Sequence, residues 1–381
     1  MADLSVSVVN QARSGIREVM ELAGTLENVI HLEVGEPLFK TPEHIVKAGC
    51  QALENGYTKY TPNAGIQKLR EVIAATVSKD SGRDFTAENV IVGIGGVEVI
   101  NNAFRVFCEP GDEILIPDPA WPNYVTMATI SNVKAVGYPL LYENNFEPDF
   151  DAMEKLVNEK TKLIVVNSPS NPLGVVFGEE VMKKFVEFAN KHDLYLLSDE
   201  AYNKLVYGVK HVTPLSFDTE GRVIGAYTFS KTYAMTGWRV GYIVGSEKVI
   251  TQMIKLQEAY VSSVPGSMQM AAVTAMTGPQ DCVEEMRTEY DEHRKIAAGI
   301  LDEFGIDYFM PNGAFYMWIK AECCDSKEFA KKLVLEQKVA VAPGATFGKT
   351  GEGFIRISLA SKKEDLEIGV RKLAEAIKTK A

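Results

Sequence analysis

Val223-Ile224-Gly225-Ala226-Tyr227-Thr228-Phe229-Ser230-Lys231-Thr232-Tyr233-Ala234-Met235-Thr236-Gly237-Trp238-Arg239 reads as a buried strand that delivers a lysine. Residues 223–229 are mostly apolar and do not alternate, the pattern of a strand covered on both faces. Lys231 follows at its end. A lysine there is unfavourable unless its charge is matched or lost. Desolvation lowers its pKa, and a neutral amine is the nucleophile that forms Schiff bases. Arg239 comes eight residues later, near glycines, and is placed to hold a phosphate.

Outward from this stretch the same kind of segment recurs. Short apolar runs at 90–93, 113–116, 133–138, 162–167, 194–198 and 239–244 join 223–229 as strand candidates. Segments of helical spacing separate them, with Val181, Phe185, Val186 and Ala189 as an example. The expectation is an α/β protein whose large domain, residues 45–275, holds a mostly parallel seven-stranded sheet between helices. Before the first of these strands, helices are expected over 12–24, 43–55 and 65–79. After the large domain come a long helix over 279–304 and strands over 314–320 and 354–359. In the second strand Ile355, Ile357 and Leu359 share one face, so Arg356 points the other way. Ser361-Lys362-Lys363-Glu364 has the spacing of a capping box for a last helix. Residues 276–381 with 1–44 are expected to form a smaller α/β domain.

At 381 residues the chain is too long for one ordinary core, which supports two domains. A net charge of −11 argues against binding nucleic acid or an anionic membrane. The five cysteines (Cys50, Cys108, Cys282, Cys323 and Cys324) are odd in number and lack CxxC spacing, so reduced thiols and a cytoplasmic protein are expected. No signal peptide or membrane span is expected. The five histidines are scattered and show no metal-ligand spacing.

In a parallel α/β sheet, ligands bind at the carboxyl ends of the strands. The residues following each expected strand are Gly93-Ile94-Gly95-Gly96-Val97, Pro117-Asp118-Pro119-Ala120-Trp121, Ser168-Pro169-Ser170-Asn171-Pro172, Ser198-Asp199-Glu200-Ala201-Tyr202 and Lys231. Together they supply an anion cradle, an aromatic plate, an amide, a carboxylate with a phenol, and an amine. Each alone has a plainer reading as turn, core or surface. Glu98 also takes the place of the third glycine of a dinucleotide fingerprint. The conjunction, falling at strand ends, suits one flat, charged, phosphorylated cofactor.

These residues resemble the fold-type I, class I aminotransferases, the aspartate aminotransferase-like enzymes that use pyridoxal 5'-phosphate. The likeness runs from Gly35-Glu36-Pro37 through Tyr60-Thr61-Pro62-Asn63-Ala64-Gly65, Asn171-Pro172-Leu173-Gly174, Ser198-Asp199-Glu200-Ala201-Tyr202 and Ser230-Lys231-Thr232 to Phe354-Ile355-Arg356. The resemblance implies that Lys231 forms a Schiff base with the cofactor and then shuttles the proton at Cα. It implies that Asp199 faces the pyridine nitrogen, that Asn171 and Tyr202 hydrogen-bond the ring oxygen, and that Trp121 stacks on the ring. Arg239, Gly95, Gly96, Val97, Thr228 and Ser230 are implied to hold the phosphate. Tyr60 is implied to reach the phosphate of a second subunit, giving a homodimer with shared active sites. Arg356 and the Gly35 backbone are implied to bind the substrate carboxylate, alongside Trp121 and Asn171. The expected reaction moves an amino group from an L-amino acid to a 2-oxo acid.

Family members selective for dicarboxylic substrates carry a basic residue at one of two places. This chain has Val97 at the first, and Tyr260-Val261-Ser262-Ser263-Val264-Pro265 at the second. Lys255, Arg13 or Arg17 are possible substitutes, so aspartate, aromatic or neutral substrates with 2-oxoglutarate stay open. A carbon–sulfur lyase or related synthase and a non-catalytic regulatory protein are the competing readings on the same fold.

Overall fold

The computed structural model describes residues 4–9, 11 and 13–379. Its central sheet has seven strands: β1 Val90–Gly93, β2 Glu113–Asp118, β3 Lys134–Pro139, β4 Thr161–Asn167, β5 Tyr195–Asp199, β6 Val223–Thr228 and β7 Gly241–Val244. They lie in the order β1-β7-β6-β5-β4-β2-β3. From β6 to β3 every neighbouring pair is parallel, and β7 runs against both β1 and β6. This is the mostly parallel seven-stranded sheet expected above.

The apolar runs exist because each strand serves two cores. In β4, Ile164 and Val166 join a cluster with Leu196, Phe185 and Val186 on one side of the sheet. Leu163 and Val165 join another with Phe104, Ile114 and Tyr124 on the opposite side. With both faces covered, alternation has no purpose.

Four strands make a second, antiparallel sheet: β8 Tyr308–Phe309, β9 Tyr316–Lys320, β10 Ala342–Pro343 and β11 Phe354–Ser358, in the order β10-β11-β9-β8. Ile355, Ile357 and Leu359 pack into a third cluster with Leu301 and Leu366, and Val19 of helix α1 (Gly15–Ala23) joins it. Arg356 sits on the other face, opposite Trp318 and Ala342 in register, and is only 2% exposed. The amino-terminal segment is tied to this part of the molecule by Ile30–His31, which pairs in parallel with Val339–Ala340.

Several boundaries differ from the expectation by a residue or two, and some of them have a local reason. The strand expected over 223–229 stops at Thr228, whose hydroxyl accepts the amide N–H of Ser230 at 3.2 Å and starts a one-turn helix, Phe229–Thr232. Lys231 therefore sits on a helical turn rather than at the end of a strand. Arg239 has φ of 56° and Ala314 has φ of 59°, so the strands expected over 239–244 and 314–320 begin only at Gly241 and Tyr316. The capping box is not formed, because the Ser361 hydroxyl is buried without a hydrogen-bond partner and the last helix starts at Lys363. Residue 12, where the first expected helix was to begin, lies outside the described residues.

All five cysteines are free thiols. Among the described residues no helix is long and apolar enough to cross a membrane, and no cluster of three or more His, Cys, Asp or Glu side chains could hold a metal.

Candidate active site

A cavity of about 320 Å³ opens at the carboxyl ends of β1, β4, β5 and β6. Val34, Gly35 and α1 from the amino-terminal segment and Tyr316 and Arg356 from the second sheet complete its walls. A larger, open hollow of about 800 Å³ lies beside Pro139, Asp149 and Lys191 and contains none of the expected site residues. In the smaller cavity, by contrast, Gly35, Gly96, Val97, Trp121, Asn171, Asp199, Tyr202, Thr228, Ser230, Lys231, Arg239 and Arg356 meet.

Lys231 Nζ donates a hydrogen bond to the Gly35 carbonyl at 2.6 Å and lies 5.9 Å from the Phe315 ring. The residue is half-buried because the cavity opens onto it, yet protein surrounds the amine itself. Burial pulls its pKa down to about 8. The nearby charge of Glu36 opposes this shift, and Arg356 and Arg239 add to it. A neutral amine is thus accessible near physiological pH, as the sequence predicts.

Asp199 closes β5 and is 5% exposed. One carboxylate oxygen accepts a hydrogen bond from the Tyr124 hydroxyl, and the other accepts the Ala201 amide at 3.2 Å. Burial pushes its pKa up to about 6, while those two donors resist. Among the described residues it has no ion-pair partner, so a cationic ring N–H is the kind of group it lacks.

Arg356 is wholly enclosed. Its guanidinium lies 4.3 Å from the Tyr316 ring centre and 5.0 Å from that of Phe347. One terminal nitrogen donates to Asn171 Oδ1 at 3.2 Å and the other to the Glu33 carbonyl. The third nitrogen, Nε, is buried with no partner. Burial lowers its pKa because desolvation disfavours the cation, and an anion docked against the fork would offset that cost. The Asn171 backbone N–H in turn donates to Asn167 Oδ1 at 2.7 Å, and the Tyr202 and Tyr316 hydroxyls share a hydrogen bond of 2.9 Å.

At the other end of the cavity, helix α2 (Gly95–Phe107) points its amino terminus at the space beside Arg239. Gly95 does not line the cavity but makes room for it. Its φ is 75°, and a Cβ there would lie 2.5 Å from the Arg239 guanidinium. Arg239 donates to the Thr236 carbonyl at 2.8 Å, and Thr228 donates to Ser230 Oγ at 2.9 Å. Amides, hydroxyls and a guanidinium around a helix amino terminus are a donor set that a phosphate would fit. Asp199 at the opposite end and Trp121 at the side match a protonated pyridine ring, so the residues present fit pyridoxal phosphate.

Tyr60 is 91% exposed and stands away from the cavity. None of the substitute cations lines it either. Arg13 pairs with Glu21 at 3.5 Å, Arg17 is exposed, and Lys255 donates to Gln252. Instead α1 turns Ile16 and Met20, four residues apart, into the cavity.

Sequence reasoning missed Tyr124, Tyr316 and Asn167. Asn167 was within reach, since it is the polar residue closing an apolar strand, which is the signal that identified Asp199. Tyr124 braces Trp121 edge-on at 5.4 Å while bonding Asp199, and nothing in its local pattern distinguishes it from a core tyrosine.

Comparison with known proteins agrees with this geometry. Residues 27–373 match the family model described as aminotransferase class I and II. The chain is 40% identical over 371 residues to an aspartate aminotransferase of Pyrococcus horikoshii, covering 96% of this chain and 95% of that protein. It is 37% identical over 374 residues to aromatic-amino-acid aminotransferase 2 of Thermococcus litoralis, covering 96% of each. The solved structure of a Thermus thermophilus aspartate aminotransferase with maleate superposes with a TM-score of 0.94 at 34% identity, over 98% of this chain and 100% of that one. The relatives' names favour transamination over the lyase reading. The chain belongs to the class I and II aminotransferases, which are pyridoxal-phosphate-dependent enzymes acting on amino acids and 2-oxo acids.

Proposed function

We propose that this aminotransferase takes its amino group from amino acids with uncharged apolar side chains, aromatic ones included, and passes it to a 2-oxo acid. The observation that carries this reading is the wall of the cavity. Ile16, Met20, Val97 and Ile100 line it, and its cationic side chains are Lys231, Arg239 and Arg356. Each of those three has an assigned task, which leaves no positive charge among the described residues of this chain's cavity for a distal carboxylate. The relatives' names include both aspartate and aromatic enzymes and do not decide between them.

Bound pyridoxal phosphate supplies an aldehyde that condenses with amines and a ring that accepts the electron pair left at the substrate's Cα. The chain's own residues do the remaining work. Arg239, the α2 amino terminus with Gly95, Gly96 and Val97, and the hydroxyls of Thr228 and Ser230 hold the phosphate. Asp199, kept in line by Tyr124, accepts a hydrogen bond from the ring nitrogen and favours its protonated form. Asn171 and Tyr202 bond the ring oxygen, and Trp121 covers the ring face. Arg356 grips the α-carboxylate through its unpartnered Nε and a terminal nitrogen, assisted by Gly35. Lys231 Nζ then takes the proton from Cα as general base and returns it on the cofactor side.

In this reading residues 45–275 hold the cofactor, and residues 1–44 with 276–381 close over the substrate and exclude water. Support comes from the origin of the walls, because Gly35, Ile16, Met20 and Arg356 all lie in the terminal segments. Tyr60, exposed in one chain, reaches the phosphate of a second copy, which makes the enzyme a homodimer with shared sites. The free thiols support a cytoplasmic setting.

A half-reaction panel tests the substrate class. Each amino acid is added to the holoenzyme and the rate of loss of the cofactor's visible band is ranked. Leucine, methionine and phenylalanine are expected ahead of aspartate. An aspartate rate above all of them refutes the reading.

A further inference from the structure

Behind Asp199 lies a second buried carboxylate with no task in the reaction so far. Glu200 is 1% exposed, and its side chain turns away from the cavity. Its Oε1 accepts the Thr213 hydroxyl at 2.6 Å, and its Oε2 lies 2.7 Å from His211 Nε2. Thr213 is fixed in turn by the Leu215 amide, which donates to its oxygen at 3.3 Å. The other nitrogen of His211 is enclosed and has no partner. The polar contact that holds this imidazole is therefore Glu200.

Two adjacent buried carboxylates repel each other. The negative charge of Glu200 makes Asp199 harder to ionise, and Asp199 serves the ring nitrogen only as an anion. The other titratable groups facing Glu200 are Tyr227 of β6 and Tyr242 of β7. Burial holds both phenols well above their usual range, so neither carries charge. Around Asp199 itself stand Tyr124, Tyr202 and Lys231. His211 is thus the basic side chain within ion-pair distance of Glu200.

We infer that His211 and Glu200 act as a buried charge pair that sets the proton affinity of Asp199, with His211 a positioning residue working through Glu200. The inference rests on the reading that Asp199 faces the cofactor nitrogen. A proton shared between His211 and Glu200 offsets part of the charge that Asp199 would otherwise feel. Asp199 then stays ionised, and the cofactor stays bound, at a lower pH than two uncompensated carboxylates allow.

The experiment measures dissociation of pyridoxal phosphate from the holoenzyme, followed by its absorption, between about pH 4 and about pH 8. In the parent, affinity falls as the pH drops and Asp199 takes up a proton. The part of that fall missing from Asp199→Asn belongs to Asp199. His211→Asn is expected to move the midpoint up by roughly one pH unit, and Glu200→Gln to move it down by a similar amount. The double variant is expected to follow Glu200→Gln, because a charge that is gone needs no answer. A merely structural histidine would not be rescued in this way. Glu200→Gln preserves shape and reads the same coupling even where His211→Asn does not fold. If Asp199→Asn titrates like the parent, the placement of Asp199 is wrong. If Asp199→Asn loses the fall but the single variants superimpose on the parent, or the double variant resembles His211→Asn, the charge pair is refuted.

Discussion

The floor of the cavity and its roof have different origins. Lys231, Asp199 and the Gly95–Gly96 turn belong to the floor, and each lies within a few residues of a strand end in one sheet. The roof is made of Ile16, Met20, Gly35 and Arg356, from the two ends of the chain. The floor carries groups that any transamination requires. In the proposed reading Arg356 and Gly35 of the roof meet the α-carboxylate that every substrate shares, and Ile16 and Met20 touch the part that varies. Chemistry is thus fixed by one sheet, and selectivity is left to segments that can change without disturbing it.

The floor should be the easier half to break. Lys231→Ala removes the proposed proton carrier, and general acid–base catalysis of this kind is worth about 10²- to 10⁴-fold. Turnover is expected to fall at least that far while the phosphate contacts of Arg239 and α2 remain. Steady-state rates together with cofactor retention after gel filtration check it, and parental turnover by the variant would show that another base moves the proton.

On the roof the largest effect is expected at Arg356. Arg356→Leu takes the ionic partner from a carboxylate inside a desolvated site. Losing one member of such a pair costs about 2–5 kcal/mol, or roughly a 30-fold or greater rise in KM. The KM of the amino acid should rise far more than kcat falls. A variant that lost kcat alone would place the arginine on the floor instead.

The two halves were also unequally legible in the sequence. The floor announced itself through a single rule, in which a buried strand ends and a functional side chain follows. That rule gave Lys231, Asp199, Asn171 and Trp121, and applied once more it gives Asn167. It does not reach Tyr316, which meets Tyr202 only because β9 pairs with β11 and the second sheet packs over the first. The face of Arg356 was readable from alternation, but the ring pair of Tyr316 and Phe347 that holds it was not. For α1 the choice between Arg17 and Ile16 depends on which side of a short helix meets the cavity, and its sequence alone offers both. Boundaries failed where single residues take left-handed backbone angles, at Arg239 and Ala314.

Burial on the floor has a consequence for stability in the cofactor-free protein. Asp199 titrates near 6 when folded, above its ordinary value, so between about pH 4 and pH 6 the folded state holds a proton that the unfolded chain has released. Stability from this group therefore declines as the pH rises through that window. Asp199→Asn cannot release that proton, so relative to the parent it should gain stability from about pH 4 to pH 6, by an amount on the order of 2–3 kcal/mol. Urea melts at the two ends of the window measure it. A constant difference would mean that the carboxyl group is ionised throughout and its burial is answered by Tyr124.

The smallest expected effect sharpens the comparison most, because it alters the roof and leaves the floor alone. Met20 lines the cavity yet is 41% exposed, so it sits at the mouth rather than in the interior. Met20→Lys puts a cation where a distal carboxylate would lie. A charge pair this open to water is worth no more than about 1 kcal/mol, so the gain for aspartate should be about fivefold in kcat/KM, with added salt reducing it. The rate with phenylalanine should fall slightly as apolar contact is lost. The spectrum and affinity of the cofactor should not change, since nothing on the floor has moved. If aspartate gains nothing while the cofactor's band shifts, then α1 bears on the floor after all, and the separation between the two halves fails at the place where they come closest.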